Sequence, residues 1–222
     1  MKSLIILQAR VNSKRLPGKV LKKIERIPLI MLCAKRLNNT NIPLIIAIPN
    51  DKKNIKLKKI ILKNRFNYSL GSNLNVFSRF EKIISKLNDN TIIIRTTADN
   101  PLPDGKFINE MLRLFKNKKL DYLDTTKKNF IFPYGLAIQI FRAKTFNFVS
   151  KLQLNKSDKE HVVPKISRLK NLKIFKTKYS KYEKLYTSKK FSIDNKKDLN
   201  FLRKVFQGVK RPTTVSWTNL LR

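Results

Sequence analysis

Three clusters of residue types could do chemistry together. The first is Gln8-Ala9-Arg10-Val11-Asn12-Ser13-Lys14-Arg15-Leu16-Pro17-Gly18-Lys19. Arg10, Lys14, Arg15 and Lys19 place four cations within ten residues, and Pro17-Gly18 sets a turn with room for close backbone approach. Backbone N–H groups beside such cations make a phosphate cradle, although the spacing is neither that of a Walker A loop nor of a dinucleotide-binding glycine loop. The second cluster is Arg95-Thr96-Thr97-Ala98-Asp99-Asn100-Pro101, where Asp99 offers an oxygen ligand suited to Mg²⁺. The third is Phe191-Ser192-Ile193-Asp194-Asn195-Lys196-Lys197-Asp198-Leu199, with Asp194 as a second carboxylate and Ser192 or Asn195 as a helix cap. Taken singly, each also fits a plainer role, as a basic loop, a turn Asp or a capping Asp. Two carboxylates opposite one cationic loop fit metal-assisted phosphoryl or nucleotidyl transfer.

The elements around these clusters must bring them together. Apolar runs at Leu4–Gln8, Leu44–Ile48, Phe66–Leu70, Thr91–Arg95 and Leu120–Leu123 read as strands. Amphipathic stretches at Pro28–Leu37, Lys53–Asn64, Val76–Leu87 and Phe107–Lys116 read as helices between them. Such alternation predicts an α/β fold, with a mostly parallel central sheet and helices on both faces. In such a sheet ligands bind beyond the carboxyl ends of strands, where both the first loop and Asp99 fall. After residue 125 the pattern changes. A Pro133-Tyr134-Gly135 turn lies between β-like segments, Lys144–Leu152 and His161–Leu169 read as helices, Leu172–Thr177 and Tyr186–Ser192 as strands, and Lys196–Phe206 as a last helix. No linker or repeat interrupts the chain, so we expect one domain over 1–222, its 1–125 half binding nucleotide and its 126–222 half completing the metal and substrate sites. Trp217, in the tail, is expected to dock on the body or on a second copy in a homodimer.

Composition bounds the function. The chain has 222 residues with 50 Lys+Arg, 14 Asp+Glu and one His, a formal charge of +36. The one cysteine, Cys33, excludes an intrachain disulfide, and the one histidine, His161, excludes zinc sites built on several histidines. No apolar run approaches the roughly 18–20 residues that span a bilayer, and the N-terminal apolar stretch is too short for a signal-peptide core. A cytoplasmic location is therefore expected. The charge allows a non-enzymatic polyanion or nucleic-acid binder as the alternative reading. The Lys-, Asn- and Ile-rich composition also fits simple coding bias, and the cations are spread rather than gathered in one stripe.

The first loop resembles the signature of cytidylyltransferases that activate acidic and related sugars, in particular the SpsF-type branch, whose pattern is Ile-Ile-Gln-Ala-Arg-x-x-Ser-x-Arg-Leu-Pro-Gly-Lys-Val-Leu. This chain carries Ile5-Ile6-Leu7-Gln8-Ala9-Arg10, then Leu16-Pro17-Gly18-Lys19-Val20-Leu21 and Pro28-Leu29. The likeness continues through Gly71-Ser72, Val76, Arg79-Phe80, Arg95 to Pro101, Glu160-His161-Val162, Ile193-Asp194 and Asp198-Leu199. The resemblance implies a nucleotide-diphospho-sugar-transferase-like fold with a small β-rich insertion, and attack by a sugar hydroxyl on the α-phosphate of CTP. It implies that Arg10, Arg15 and Lys19 hold the triphosphate, that Asp99 and Asp194 hold Mg²⁺, and that Gln8, Ala9, Ser13, Gly18, Gly71 and Ser72 shape the nucleotide site. Arg79, Gln139 and His161 then fall to the substrate side. The chain departs from the pattern at Ser78, Ala98, Asn100, Ala137 and Gln139, mostly on the sugar-facing side. A sugar-nucleotide enzyme of glycosyltransferase type is the remaining alternative.

Overall fold

The computed structural model describes residues 2–186 and 188–221. Among these, strands β1 (Ser3–Gln8), β4 (Leu44–Pro49), β5 (Asn67–Gly71), β6 (Ile92–Thr97), β7 (Tyr122–Asp124) and β8 (Gln139–Arg142) form a six-stranded sheet ordered β5-β4-β1-β6-β8-β7. The first four are mutually parallel; β8 runs antiparallel to both β6 and β7. Two short strands, β2 (Lys23–Ile24) and β3 (Ile27–Pro28), form a separate antiparallel pair. The fold class expected from the sequence is the one observed, with the small β unit at residues 23–28.

Parallel strands covered on both faces must be apolar on both, which is why these runs are continuous rather than alternating. Ile5, Leu7, Ile46, Ile48, Ile92 and Ile94 enter one core. There they meet helices α1 (Leu29–Leu37), α2 (Ile55–Lys63), α4 (Gly105–Asn117) and α8 (Lys196–Phe206). Leu4, Ile6, Ile93, Tyr122 and Phe141 enter the other, against α3 (Val76–Ile84), α5 (Ala143–Ser150) and α7 (Pro164–Ser167). Cys33 lies in the first core, as its place on the apolar face of α1 predicts, and burial pushes its thiol pKa up.

Helix starts follow the capping rule. Asn75 accepts from the Ser78 N–H at α3, and Asp104 from the Phe107 N–H at α4. Asn195 and Asp198 form a reciprocal capping box at α8, which settles the choice between Ser192 and Asn195 as cap. A second box, Asn155 with Asp158, starts α6 (Lys156–His161).

Three expected elements differ. The helix expected over His161–Leu169 is two short helices, α6 and α7, because Val162 takes a φ of 71° and Pro164 then opens a new turn. Leu172–Thr177 and Tyr186–Ser192 are not strands. The first makes one isolated bridge, Tyr122 to Ile174, and the second one, Tyr134 to Lys190; Thr187 lies outside the described residues. Scattered backbone bonds, such as Asp121 N–H to the Lys173 carbonyl and Tyr179 N–H to the Asn129 carbonyl, hold residues 172–192 together with side chains: Asn129 Nδ2 donates to the Phe175 carbonyl, and the Glu110 carboxylate on α4 accepts from Tyr179, Lys181 and Tyr182. The tail docks on its own body. Short helix α9 (Trp217–Leu220) buries Trp217 against Phe107, Phe132 and Tyr182, and the Trp217 N–H donates to Asp104 Oδ2 at 2.7 Å.

Candidate active site

The first loop leaves β1 at the carboxyl edge of the sheet. Leu16 and Val20 are buried and root it in the core, while Lys14 and Arg15 stay exposed beside them. Gly18 takes a φ of 68°, a left-handed conformation that suits glycine, and starts the single turn Lys19–Leu21. That turn brings Lys19 across to the other two clusters.

Lys19 Nζ donates to Asp99 Oδ2 at 2.8 Å and to the Ile193 carbonyl at 2.7 Å, and lies 3.8 Å from Asp194 Oδ1. Arg15 Nη2 sits 2.8 Å from the same Asp194 oxygen. The Ile193 N–H donates to the Asp99 carbonyl, so the chain before Asp194 is tied directly to the exit of β6. Three segments separated by up to 174 positions thus meet around one ammonium group. Thr97 Oγ1 donates to Asp99 Oδ1 at 2.6 Å, and Asn100 Nδ2 donates to Thr97 Oγ1. Burial opposes ionisation of Asp99, but Lys19's charge and hydrogen bond, with the Thr97 hydroxyl, outweigh it and hold the pKa below the usual carboxylate range. Asp99 is therefore an anion at neutral pH, ready for a cation.

The donor set fits Mg²⁺. Two carboxylates face a common cation, and Mg²⁺ is commonly bound by one or two carboxylates with substrate phosphates and water filling the remaining positions. Among the described residues no group of three or more His, Cys, Asp or Glu is gathered to hold a metal ion.

One cation escaped sequence reading. Lys190 Nζ donates to Asp194 Oδ2 at 2.7 Å and to Asp198 Oδ2 at 2.9 Å, so one Asp194 oxygen is held by Arg15 and the other by Lys190. Its signal was slight: a lysine four residues before an aspartate in a lysine-rich chain.

Other expected residues lie close by with partners of their own. Arg10 pairs with Glu160 at 3.6 Å on α6, and His161, next in sequence, is exposed. Ser13 Oγ accepts from the Leu16 N–H and Ser72 Oγ from the Asn75 N–H, so both hydroxyls fold their own turns. Gln8 and Gln139 sit at the two ends of a buried bridge: Arg95 Nη2 donates to Gln8 Oε1 at 3.0 Å, and Arg95 Nη1 to Gln139 Oε1 at 2.6 Å. Gln139 Nε2 continues the row to Asp124, which Tyr122 and Thr126 also hold. Burial lowers the Arg95 pKa, and Tyr122 and Asp124 work against that. Arg79, on α3, is 1% exposed and reaches Ala9, donating from Nη1 to its carbonyl at 3.4 Å. Gly71 makes that passage possible, since a Cβ there would stand 2.7 Å from Arg79 Cγ.

A mostly parallel sheet with a cationic loop after its first strand and two carboxylates at the opposite lip is the arrangement of a nucleotidyltransferase. The cytidylyltransferase family model matches residues 4–215, and the chain belongs to that family. It is 25% identical to the spore coat polysaccharide biosynthesis protein SpsF of Bacillus subtilis, over 98% of this chain and 92% of that one. Among solved structures, a cytidylyltransferase from Leptospira borgpetersenii superposes over 100% of this chain and 92% of its own, with TM-score 0.87 at 23% identity. CMP:2-keto-3-deoxy-manno-octonic acid synthetase, solved with CTP, covers 93% of this chain and 98% of its own, with TM-score 0.68 at 14% identity.

Proposed function

We propose that the chain transfers CMP from CTP to a sugar hydroxyl, with Mg²⁺ held by Asp99 and Asp194, in the cytoplasmic supply of activated sugars for surface polysaccharide or glycan. The observation that carries this reading is the convergence of Lys19, Arg15, Asp99 and Asp194 at the carboxyl edge of the sheet. The likeness to SpsF supports the polysaccharide role.

In the reaction the sugar oxygen attacks the α-phosphorus in line, the bond from that phosphorus to the bridging oxygen of the β-phosphate breaks, and pyrophosphate leaves. The hydroxyl proton passes to solvent. Arg10, Arg15 and Lys19 bind triphosphate oxygens and offset the charge gathering on the leaving pyrophosphate. A divalent cation at Asp99 and Asp194 supplies further neutralisation of phosphate charge when bound. Nucleotide entry turns Lys19 and Arg15 from the carboxylates toward phosphate. The α6 residues Glu160 and His161, beside Arg10, face the sugar, and Gln139 acts on that side through the Arg95 and Asp124 side chains it joins.

Calorimetry with CTP, UTP, ATP and GTP, each with and without Mg²⁺, tests the reading, followed by a sugar screen for pyrophosphate release. Mg²⁺-dependent CTP binding that Asp99→Ala removes is the expected result. A folded wild type that binds no nucleotide overturns it.

A further inference from the structure

Two side chains near the exit of β4 carry buried polar atoms that no group among the described residues satisfies. One is Arg79, whose Nε and Nη2 have no hydrogen-bond partner. The other is Asp51, whose Oδ2 has none. Buried polar atoms are nearly always paired, so each such exception calls for an explanation. The pair is linked through the backbone: the Asn50 N–H donates to the Gly71 carbonyl, and Gly71 abuts Arg79. Asp51 also lines a cavity of about 300 Å³ with Pro49, Asn50, Asn54 and Leu70.

Both groups hold the start of the first loop. Arg79 donates to the carbonyl of Ala9. Asp51 Oδ1 caps the Asn54 N–H and accepts from Asn54 Nδ2, and Asn54 Oδ1 in turn accepts from the Val11 N–H at 3.1 Å. Arg10 is thus bracketed on both sides, with one donor pair and one acceptor left over. Burial first, and then the charge of Arg10, lower the Arg79 pKa to about 10, while Asp51 is near enough to oppose them. The guanidinium therefore remains charged at neutral pH, with two donors unused.

We propose that Asp51 and Arg79 read the base of the bound nucleotide: Asp51 Oδ2 accepts from the exocyclic amine of cytosine, while Arg79 Nε and Nη2 donate to its ring nitrogen N3 and carbonyl O2. This rests on the CTP-transfer reading above and supplies its base selectivity. Cytosine presents donor, acceptor, acceptor along that edge, the complement of one carboxylate oxygen beside two guanidinium N–H groups. Uracil presents acceptor, donor, acceptor, which sets its O4 against a carboxylate and its N3–H against an arginine. A site built on buried hydrogen bonds rejects the ligand that leaves them unmade. These side-chain atoms are closed to water, so base entry moves the Ala9–Val11 segment that they hold.

The test compares affinities for CTP, UTP and the triphosphate of the pyrimidin-2-one riboside, which lacks the exocyclic amine, on wild type and Asp51→Asn. That substitution keeps the capping oxygen and puts a donor in place of Oδ2. Wild type is expected to bind CTP at least tenfold more tightly than either competitor. D51N is expected to lower the CTP-to-UTP preference at least tenfold, partly by gaining UTP. The analogue comparison needs no variant, so it holds even where D51N fails to fold. Equal affinity for CTP and the analogue in wild type, or an unchanged CTP-to-UTP ratio in folded D51N, overturns the proposal, leaves CTP transfer standing, and assigns these atoms to an internal water. Binding of none of the three by wild type overturns CTP transfer as well.

Discussion

At the scale of single residues, Lys19 is the side chain on which the site turns. It joins both carboxylates and the Ile193 carbonyl while only 12% exposed, so its charge is poorly screened and its removal leaves Asp99 without its counter-ion. In the reaction it is one preorganised charge against a developing pyrophosphate. Lys19→Ala is expected to lower kcat about 10²–10³-fold, read by pyrophosphate release under saturating CTP. Arg15, 69% exposed, is a weaker partner for its carboxylate, and Arg15→Ala is expected to leave the melting temperature nearly unchanged while still slowing turnover. A Lys19→Ala enzyme as fast as wild type contradicts the assignment of both.

At the scale of elements, close approach sets the tolerances. Arg79 passes under β5 because Gly71 has no side chain; a methyl group would meet Arg79 Cγ at 2.7 Å and its Cα at 3.3 Å. The second contact is backbone, so α3 must back away. Gly71→Ala is expected to cost about 1–3 kcal/mol in urea unfolding and to weaken nucleotide binding, because Arg79 no longer reaches Ala9. The tail depends on another buried arginine. Arg36 donates to the carbonyls of Pro212, Val215 and Leu102 and lies 3.8 Å from Asp104, which itself holds Trp217. Arg36→Met is expected to cost about 3–5 kcal/mol and to expose the single tryptophan, seen as a red shift in its fluorescence. These elements also show what can be read from a sequence. The strands were legible because parallel pairing demands unbroken apolar runs such as Ile92-Ile93-Ile94, and the loop motifs because charge and turn residues sit next to each other. Lys173-Ile174-Phe175-Lys176 has an apolar centre like that of a strand, yet among the described residues only one bridge forms there, since it is held by Asp121, which bonds Lys173 through backbone and side chain, and by the Asn129 side chain, both far along the chain. Lys190, Arg79 and Asp51 were not legible as a set for the same reason: their roles come from contacts that only the folded chain creates.

At the scale of the whole molecule, charge opposes folding. With 50 Lys+Arg against 14 Asp+Glu the folded chain repels itself, and screening relieves that. Raising salt is expected to raise the melting temperature by a few degrees, with chloride enough to do it. Acid acts in the other direction through two routes. Burial opposes ionisation of Asp99, Glu110 and Asp198, yet their lysine and hydroxyl or backbone partners hold all three below the usual carboxylate range. Groups with depressed folded pKa values contribute stability in full above the unfolded value, near pH 4, and lose it as pH falls through the folded value. Protonation also removes the few negative charges that offset the lysines. Stability measured by urea unfolding is therefore expected to be flat from about pH 7 to pH 5 and to fall steeply from about pH 4 downward. The two routes separate with salt. Self-repulsion is screened at high ionic strength, whereas the Asp99–Lys19 pair is largely withdrawn from water and is screened less. At high salt the remaining acid loss should shrink in Asp99→Asn, whose side chain no longer titrates. An acid profile at high salt identical in that variant and in wild type would mean that Glu110 and Asp198, rather than the closed pair at the site, govern how the molecule meets acid.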